Sequence, residues 1–240
     1  MKILVIGGMH GNEPLGINLV EQLQQQPIKN VDAIIANSEA LAANTRFTGQ
    51  DLNRSFPGNQ TSKKYEPKRA NELTELCKQY DIVLDFHNTY CPENDCAFVG
   101  ELATDILYDT ASYLGLKRVI VADYDCINKY APNCLSVEVS MDSPDNTVAL
   151  WLNKISTLSR LTVLPRADNI VMYRFVYRMT LDDRDRFNLA DQNLQAFQVI
   201  DPQLASAMGV NDPAYPIFVG DKFTQYNYGG LLERIGEPIT

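Results

Sequence analysis

Histidine is scarce in this chain: there are two in 240 residues, His10 and His87. Any chemistry that needs imidazole must draw on that pair. Cysteine is limited to five, at positions 77, 91, 96, 126 and 134, an odd number with no CxxC pair. Reduced thiols in a cytoplasmic protein are therefore expected, although Cys91 and Cys96 could pair across a loop. Basic residues are the minority, 21 against 30 acidic, for a formal charge of −9. Nucleic acid and acidic membrane surfaces both require basic patches, so neither is expected as a partner. No run reaches the roughly 18 uncharged apolar residues of a membrane span. Gly7 and His10 end the first apolar run too early for a signal peptide. There is no internal repeat.

What is present is ample for a core: 45% of the residues are hydrophobic. Short apolar runs at 2–6, 31–36, 81–86, 96–99, 117–122 and 135–139 read as strands. Between them, helical spacing appears at 13–26, 66–80, 101–115 and 144–160. Such alternation predicts an α/β fold, a mixed and mainly parallel sheet flanked by helices. Residues 37–65 lack periodicity, and a loop that long in a compact domain is usually functional. Past Pro165 the texture changes to β-formers at 170–180, 195–200, 216–219, 222–226 and 230–235, broken by Pro, Gly, Asn and Asp. The expected organisation is an α/β domain over 1–165 and a small β-rich domain over 166–240.

Both histidines follow strand-like runs, His10 in Gly7-Gly8-Met9-His10-Gly11-Asn12-Glu13 and His87 in Asp85-Phe86-His87-Asn88-Thr89. In an open parallel sheet, sites form beyond the carboxyl ends of strands. With Glu13, the two histidines make a His2Glu set, which suits a zinc site that leaves one position for water. A single histidine at a strand end is more often a hydrogen-bonded core or surface residue; the matched placement of both makes the case. Asn12 is a candidate N-cap for the helix that follows. The glycines also suggest a phosphate loop, but neither the Walker spacing nor the dinucleotide fingerprint is present.

A second cluster is Asn44-Thr45-Arg46 and Asp51-Leu52-Asn53-Arg54. Arginine suits a substrate carboxylate because its planar fork donates two parallel hydrogen bonds. Asp51 could orient a metal-bound histidine from behind. A solvated turn with surface ion pairs explains the same spacing. Glu138, within Leu135-Ser136-Val137-Glu138-Val139-Ser140, is either an ordinary strand carboxylate or a proton carrier for hydrolysis.

Taken together, GGMHGNE (7–13), NTRFTGQDLNR (44–54), DFHNT (85–89) and VEVS (137–140) resemble the succinylglutamate desuccinylase/aspartoacylase family, relatives of the zinc carboxypeptidases. The resemblance covers residues 1 to about 140. It implies a zinc carboxypeptidase-like fold and one Zn2+ per chain on His10, Glu13 and His87. Arg46 would polarise the acyl carbonyl and stabilise its oxyanion, Asn53 and Arg54 would hold the α-carboxylate, and Glu138 would act as general base and then acid. Tyr124 falls on a tyrosine that lines the aspartoacylase pocket. Where aspartoacylases place an arginine for the side-chain carboxylate, this chain has Asn128, with Lys129 adjacent as a possible substitute. The family's C-terminal substrate tyrosine falls on Thr224, or on Tyr226 after a two-residue shift.

The expected function is a zinc-dependent amidohydrolase acting on a small N-acyl amino acid. A carboxypeptidase-like enzyme or amidase with a larger substrate is the competing reading, and a non-catalytic metal-binding module a more distant one. Association into a homo-oligomer is left open.

Overall fold

Strand β1 (Ile3–Gly7) is buried along its whole length. Its side chains alternate between two layers: Ile3 and Val5 join one apolar cluster, Leu4 and Ile6 another. That alternation follows from the two-residue repeat of a strand, and it explains an unbroken apolar run where helices cover both faces. The computed structural model describes residues 1–89, 95–220 and 227–236.

The remaining elements are α1 (Pro14–Gln25), β2 (Val31–Ile35), α2 (Ser38–Ala43), α3 (Tyr65–Cys77), β3 (Ile82–Thr89), β4 (Cys96–Gly100), α4 (Asp105–Tyr113), β5 (Arg118–Ala122), α5 (Ile127–Tyr130) and β6 (Cys134–Ser140). They continue with α6 (Thr147–Arg160), β7 (Val171–Thr180), α7 (Leu181–Arg186), α8 (Pro202–Ala207), β8 (Ala214–Ile217) and β9 (Asn227–Arg234). Among the described residues, nine strands form one sheet in the order β2-β1-β3-β6-β4-β5-β7-β9-β8. β1, β2, β3 and β6 run parallel to one another, as do β4, β5 and β7. The two groups meet antiparallel at β4 and β6, and β9 and β8 add antiparallel strands. The sheet is thus mixed and mostly parallel, as expected.

One face is covered by α1, α4 and α6. There Trp151 meets the edge of Phe86, with ring centroids 5.1 Å apart. Leu73 and Cys77 of α3 and Ile127 of α5 cover part of the other face. Each large apolar side chain fully removed from water contributes about 1.5–3 kcal/mol, so these layers hold the strand ends that carry the site.

From residues 166–240, read from the sequence as a β-rich domain, β7, β9 and β8 join this same sheet. β7 pairs in parallel with β5 from Arg118↔Val171 onward, and α7 and α8 add helix to the region. Residues 195–200 form no strand, turning at 196–198 with Phe197 at φ 60°. The 222–226 expectation lies outside the described residues. The long aperiodic stretch contains α2 and a 3-10 turn, Leu52–Arg54. No helix among the described residues is long and apolar enough to cross a membrane. Cys77, Cys96, Cys126 and Cys134 are buried free thiols, while Cys91 lies outside the described residues.

Candidate metal centre

β1 delivers His10 and Glu13 through a turn whose glycines serve close packing. A Cβ at Gly7 would overlap the Gly16 carbonyl of α1, and one at Gly11 would overlap the Ala40 backbone of α2. The glycines therefore admit two helices to the strand end, which accounts for them without a phosphate. α1 begins at Pro14, so Glu13 rather than Asn12 takes the N-cap position. Its carboxylate makes no cap bond because both of its oxygens turn to histidines. Asn88 of β3 serves the helix end instead, its Oδ1 accepting from the Leu15 N–H at 2.9 Å.

Glu13 Oε1 lies 2.7 Å from His10 Nδ1, and Oε2 lies 3.0 Å from His87 Nδ1. All three residues are at most 3% exposed, and one donor atom from each falls within 4.8 Å of the others. The far nitrogens are also held. His10 Nε2 is 3.2 Å from Asp51 Oδ1, and His87 Nε2 is 2.8 Å from Asp85 Oδ2. A carboxylate behind each imidazole, with the other nitrogen facing a shared acidic ligand, is the arrangement that orients histidines on zinc. The donor set therefore fits a zinc ion.

The electrostatics follow from this geometry. Burial alone would raise the pKa of Glu13, but His10 and His87 hold it well below the usual carboxylate range. Asp51 is depressed in the same way: burial opposes ionisation, and His10, Arg46 and Arg54 outweigh it. Burial would lower the pKa of His87, yet Asp85 and Glu13 hold it well above the ordinary imidazole value. Asp85, which sequence reasoning left without a role, shares a face of β3 with His87 two residues on, and that spacing was its signal.

The arginine-containing loop closes over this centre. Arg46 Nη1 donates to Glu13 Oε1 at 3.2 Å, and Nη2 stands 3.6 Å from Asp51 Oδ2. Asp51 also caps the 3-10 turn through the Asn53 N–H at 2.9 Å. Asn53 Oδ1 accepts from Ile127 N at 3.2 Å, tying the loop to α5. The Arg54 guanidinium lies over the ring of Tyr124, 4.6 Å from its centroid.

A pocket of about 780 Å3, its open mouth included, brings together His10, Glu13, His87, Arg46, Asn53, Arg54, Tyr124 and Glu138. Glu138 arrives on β6 as the register partner of His87.

Two expected substrate residues do not line it. The amide of Asn128 is buried and spent elsewhere: Nδ2 donates to Phe98 O at 3.0 Å and Cys134 O at 3.1 Å, and Oδ1 accepts from Ser136 Oγ at 3.0 Å. Lys129 is half exposed and pairs with Asp125 at 3.1 Å. Tyr226 lies outside the described residues. Sequence reasoning missed Asn88, Phe98, Phe175, Arg178, Phe218 and Asn227, which also line the pocket. Arg178 and Phe175 stand on β7, which is distant in sequence from every motif and reaches the site only through sheet order.

Residues 1–99 match the model of the succinylglutamate desuccinylase/aspartoacylase catalytic domain. The chain is 36% identical over 114 residues to the N-acyl-aromatic-L-amino acid amidohydrolase (carboxylate-forming) of Rattus norvegicus, covering 40% of this chain and 36% of that one. To the protein of the same name from Xenopus laevis it is 33% identical over 207 residues, 78% of this chain and 65% of that one. The matched stretches thus span from about a third to just under two thirds of these relatives. Among solved structures, the succinylglutamate desuccinylase of Chromobacterium violaceum superposes with a TM-score of 0.73 at 17% identity, over 98% of this chain and 85% of that one. At that identity the likeness is one of fold.

Proposed function

We propose that the chain, whose residues 1–99 match the catalytic-domain model of the succinylglutamate desuccinylase/aspartoacylase family, is a zinc-dependent hydrolase of that family cleaving an N-acyl amino acid to a carboxylate and a free amino acid. One observation carries this reading: a single buried carboxylate, Glu13, is shared by both histidines of the chain beside a pocket that also holds Glu138 and Arg46. His10, Glu13 and His87 would hold the ion. When bound there, zinc supplies Lewis acidity toward the amide carbonyl and lowers the pKa of water.

The chain's own groups do the rest. Glu138 accepts a proton from the attacking water and returns it to the departing nitrogen, so water is added across the C–N bond and no proton is left over. Arg46 is held by Glu13 and Asp51, and its remaining N–H donors meet the negative charge that develops on the acyl oxygen. Arg54, with Asn53, takes the α-carboxylate of the amino-acid part. Arg178 lies 6.0 Å from the Tyr124 centroid and provides a second cation for a further carboxylate. Phe98, Phe175 and Phe218 give the pocket an apolar wall for the substrate's carbon skeleton.

The test combines elemental analysis of protein purified without chelator with a panel of N-acetylaspartate, succinylglutamate, N-acetylated aromatic amino acids and short peptides. One zinc per chain and cleavage of an N-acyl amino acid are expected. Fastest cleavage of the peptides would favour a carboxypeptidase-like enzyme, and metal-loaded protein inert to the whole panel would overturn the reading.

A further inference from the structure

The loop that carries Arg46, Asp51, Asn53 and Arg54 has an unusual anchor at its middle. Its first part is tied by backbone, with Gly11 N donating to Arg46 O at 3.4 Å and Thr45 N to Ala40 O at 3.1 Å. Its end is tied by the Asp51 cap and the Asn53 contact to α5. Between these, three groups in succession turn to one carboxylate oxygen in the first turn of α3. Glu66 Oε1 accepts from Thr48 Oγ1 at 3.2 Å, Gly49 N at 2.8 Å and Gln50 N at 3.1 Å. Glu66 is 2% exposed, and a Cβ at Gly49 would stand 3.0 Å from Glu66 Oε2, so the loop lies directly against it.

We infer that Glu66 is a positioning residue for the substrate pocket: by holding residues 48–50 it fixes where the Arg46 and Arg54 guanidiniums stand. Charge-assisted bonds to backbone N–H groups are roughly twice as strong as neutral ones. Two of them, with a hydroxyl, replace the ladder that an irregular segment lacks. Site residues on loops are placed less accurately than those on strands, and an error of about 1 Å in a catalytic group can cost on the order of 100-fold in rate. The histidines stand at strand ends, outside the loop, and touch it only where Asp51 backs His10. The arginines stand on the loop itself.

This inference rests on the proposed deacylase reading for its kinetic test and on the loop alone for its structural one. In zinc-loaded protein well below its melting temperature, Glu66→Ala should lower kcat/KM by about 10- to 100-fold. Both kcat, through Arg46, and KM, through Arg54, should shift, while metal content stays at the wild-type value. Glu66→Gln retains an acceptor oxygen and should recover part of the loss. Amide hydrogen exchange should rise at Gly49 and Gln50 in Glu66→Ala while that of β1 and β3 stays slow. Unchanged exchange at these two amides would overturn the inference. So would a loss of activity that tracks only the unfolded fraction, or failure of Glu66→Gln to differ from Glu66→Ala. If the wild type cleaves no N-acyl amino acid, the function reading fails, and the exchange comparison still decides the role of Glu66.

Discussion

His87 and Glu138 are register partners on the adjacent parallel strands β3 and β6. Partnered residues on neighbouring strands share a face, so one ladder rung carries both a metal-ligand candidate and the carboxylate assigned to proton transfer. Glu138→Gln keeps the shape and removes the base. Turnover should fall by about 10²- to 10⁴-fold, with zinc per chain unaltered. Measuring kcat beside elemental analysis checks both halves, and full activity in the variant would remove Glu138 from its role.

Glu13, Asp51 and Asp85 converge on two imidazoles, and under the proposed function His10, Glu13 and His87 would hold a divalent cation there. A ligand that binds only the folded state stabilises it, by about 2.7 kcal/mol at a free concentration 100 times Kd. Chelation should therefore lower the melting temperature by several degrees, on the scale of about 2–4 °C per kcal/mol for a chain of this size. Added zinc should restore it. His10→Ala should abolish the zinc-dependent rise, as read by thermal unfolding; a rise of wild-type size in that variant would place the ion elsewhere.

The layers of the fold were legible because buried parallel strands read as short apolar runs, as at Ile3–Ile6 and Ile82–Leu84. His10, Glu13 and His87 were legible for a related reason: strand ends are where such runs stop. The bonds of Asn128 were not legible, because a position in the chain does not tell where an amide points. Its bonds to Phe98 O and Cys134 O depend on β4 lying beside β6, a neighbour relation with no local signature. Arg178 and Phe175 were invisible for the same reason. Glu66 carries a different lesson: a glutamate in the first turn of a helix reads as an ordinary favourable charge, and only the folded loop reveals what it accepts from.

Asp183 closes a capping box at the start of α7, accepting from Thr180 N and Oγ1 at 2.8 Å and from the Tyr177 hydroxyl at 3.1 Å. Burial would raise its pKa, but the Thr180 and Tyr177 donors and Arg186 hold it below the ordinary value of 3.8. Its stabilising contribution is thus present above that value and is lost as pH falls through the depressed folded pKa. Asp183→Asn should cost about 1 kcal/mol at neutral pH. In urea unfolding across a pH series, the gap from wild type should narrow below about pH 4. A gap that stayed constant would show that the carboxylate's charge plays no part.

Arg178 lines the pocket on the side of β7 and is the cation proposed above for a further substrate carboxylate. Among the described residues no carboxylate pairs with it, and it borders the same Tyr124 ring as Arg54. The resemblance leads one to look for that cation at Asn128, whose amide is committed to Phe98 O, Cys134 O and Ser136 Oγ; under the proposed function, Arg178 on β7 would meet a second substrate carboxylate instead. Arg178→Gln should therefore lower kcat/KM for N-acetylaspartate or succinylglutamate by about 10- to 100-fold, the scale of one lost charge-assisted pair. For the matching amides, in which that carboxylate is neutral, the change should be less than about threefold, because an uncharged group gives up no ion pair. Steady-state kinetics on each acid beside its amide makes the comparison. Equal losses on both would mean that Arg178 shapes the pocket without reading charge, and a pocket that favours aromatic side chains would leave both acids poor substrates from the start.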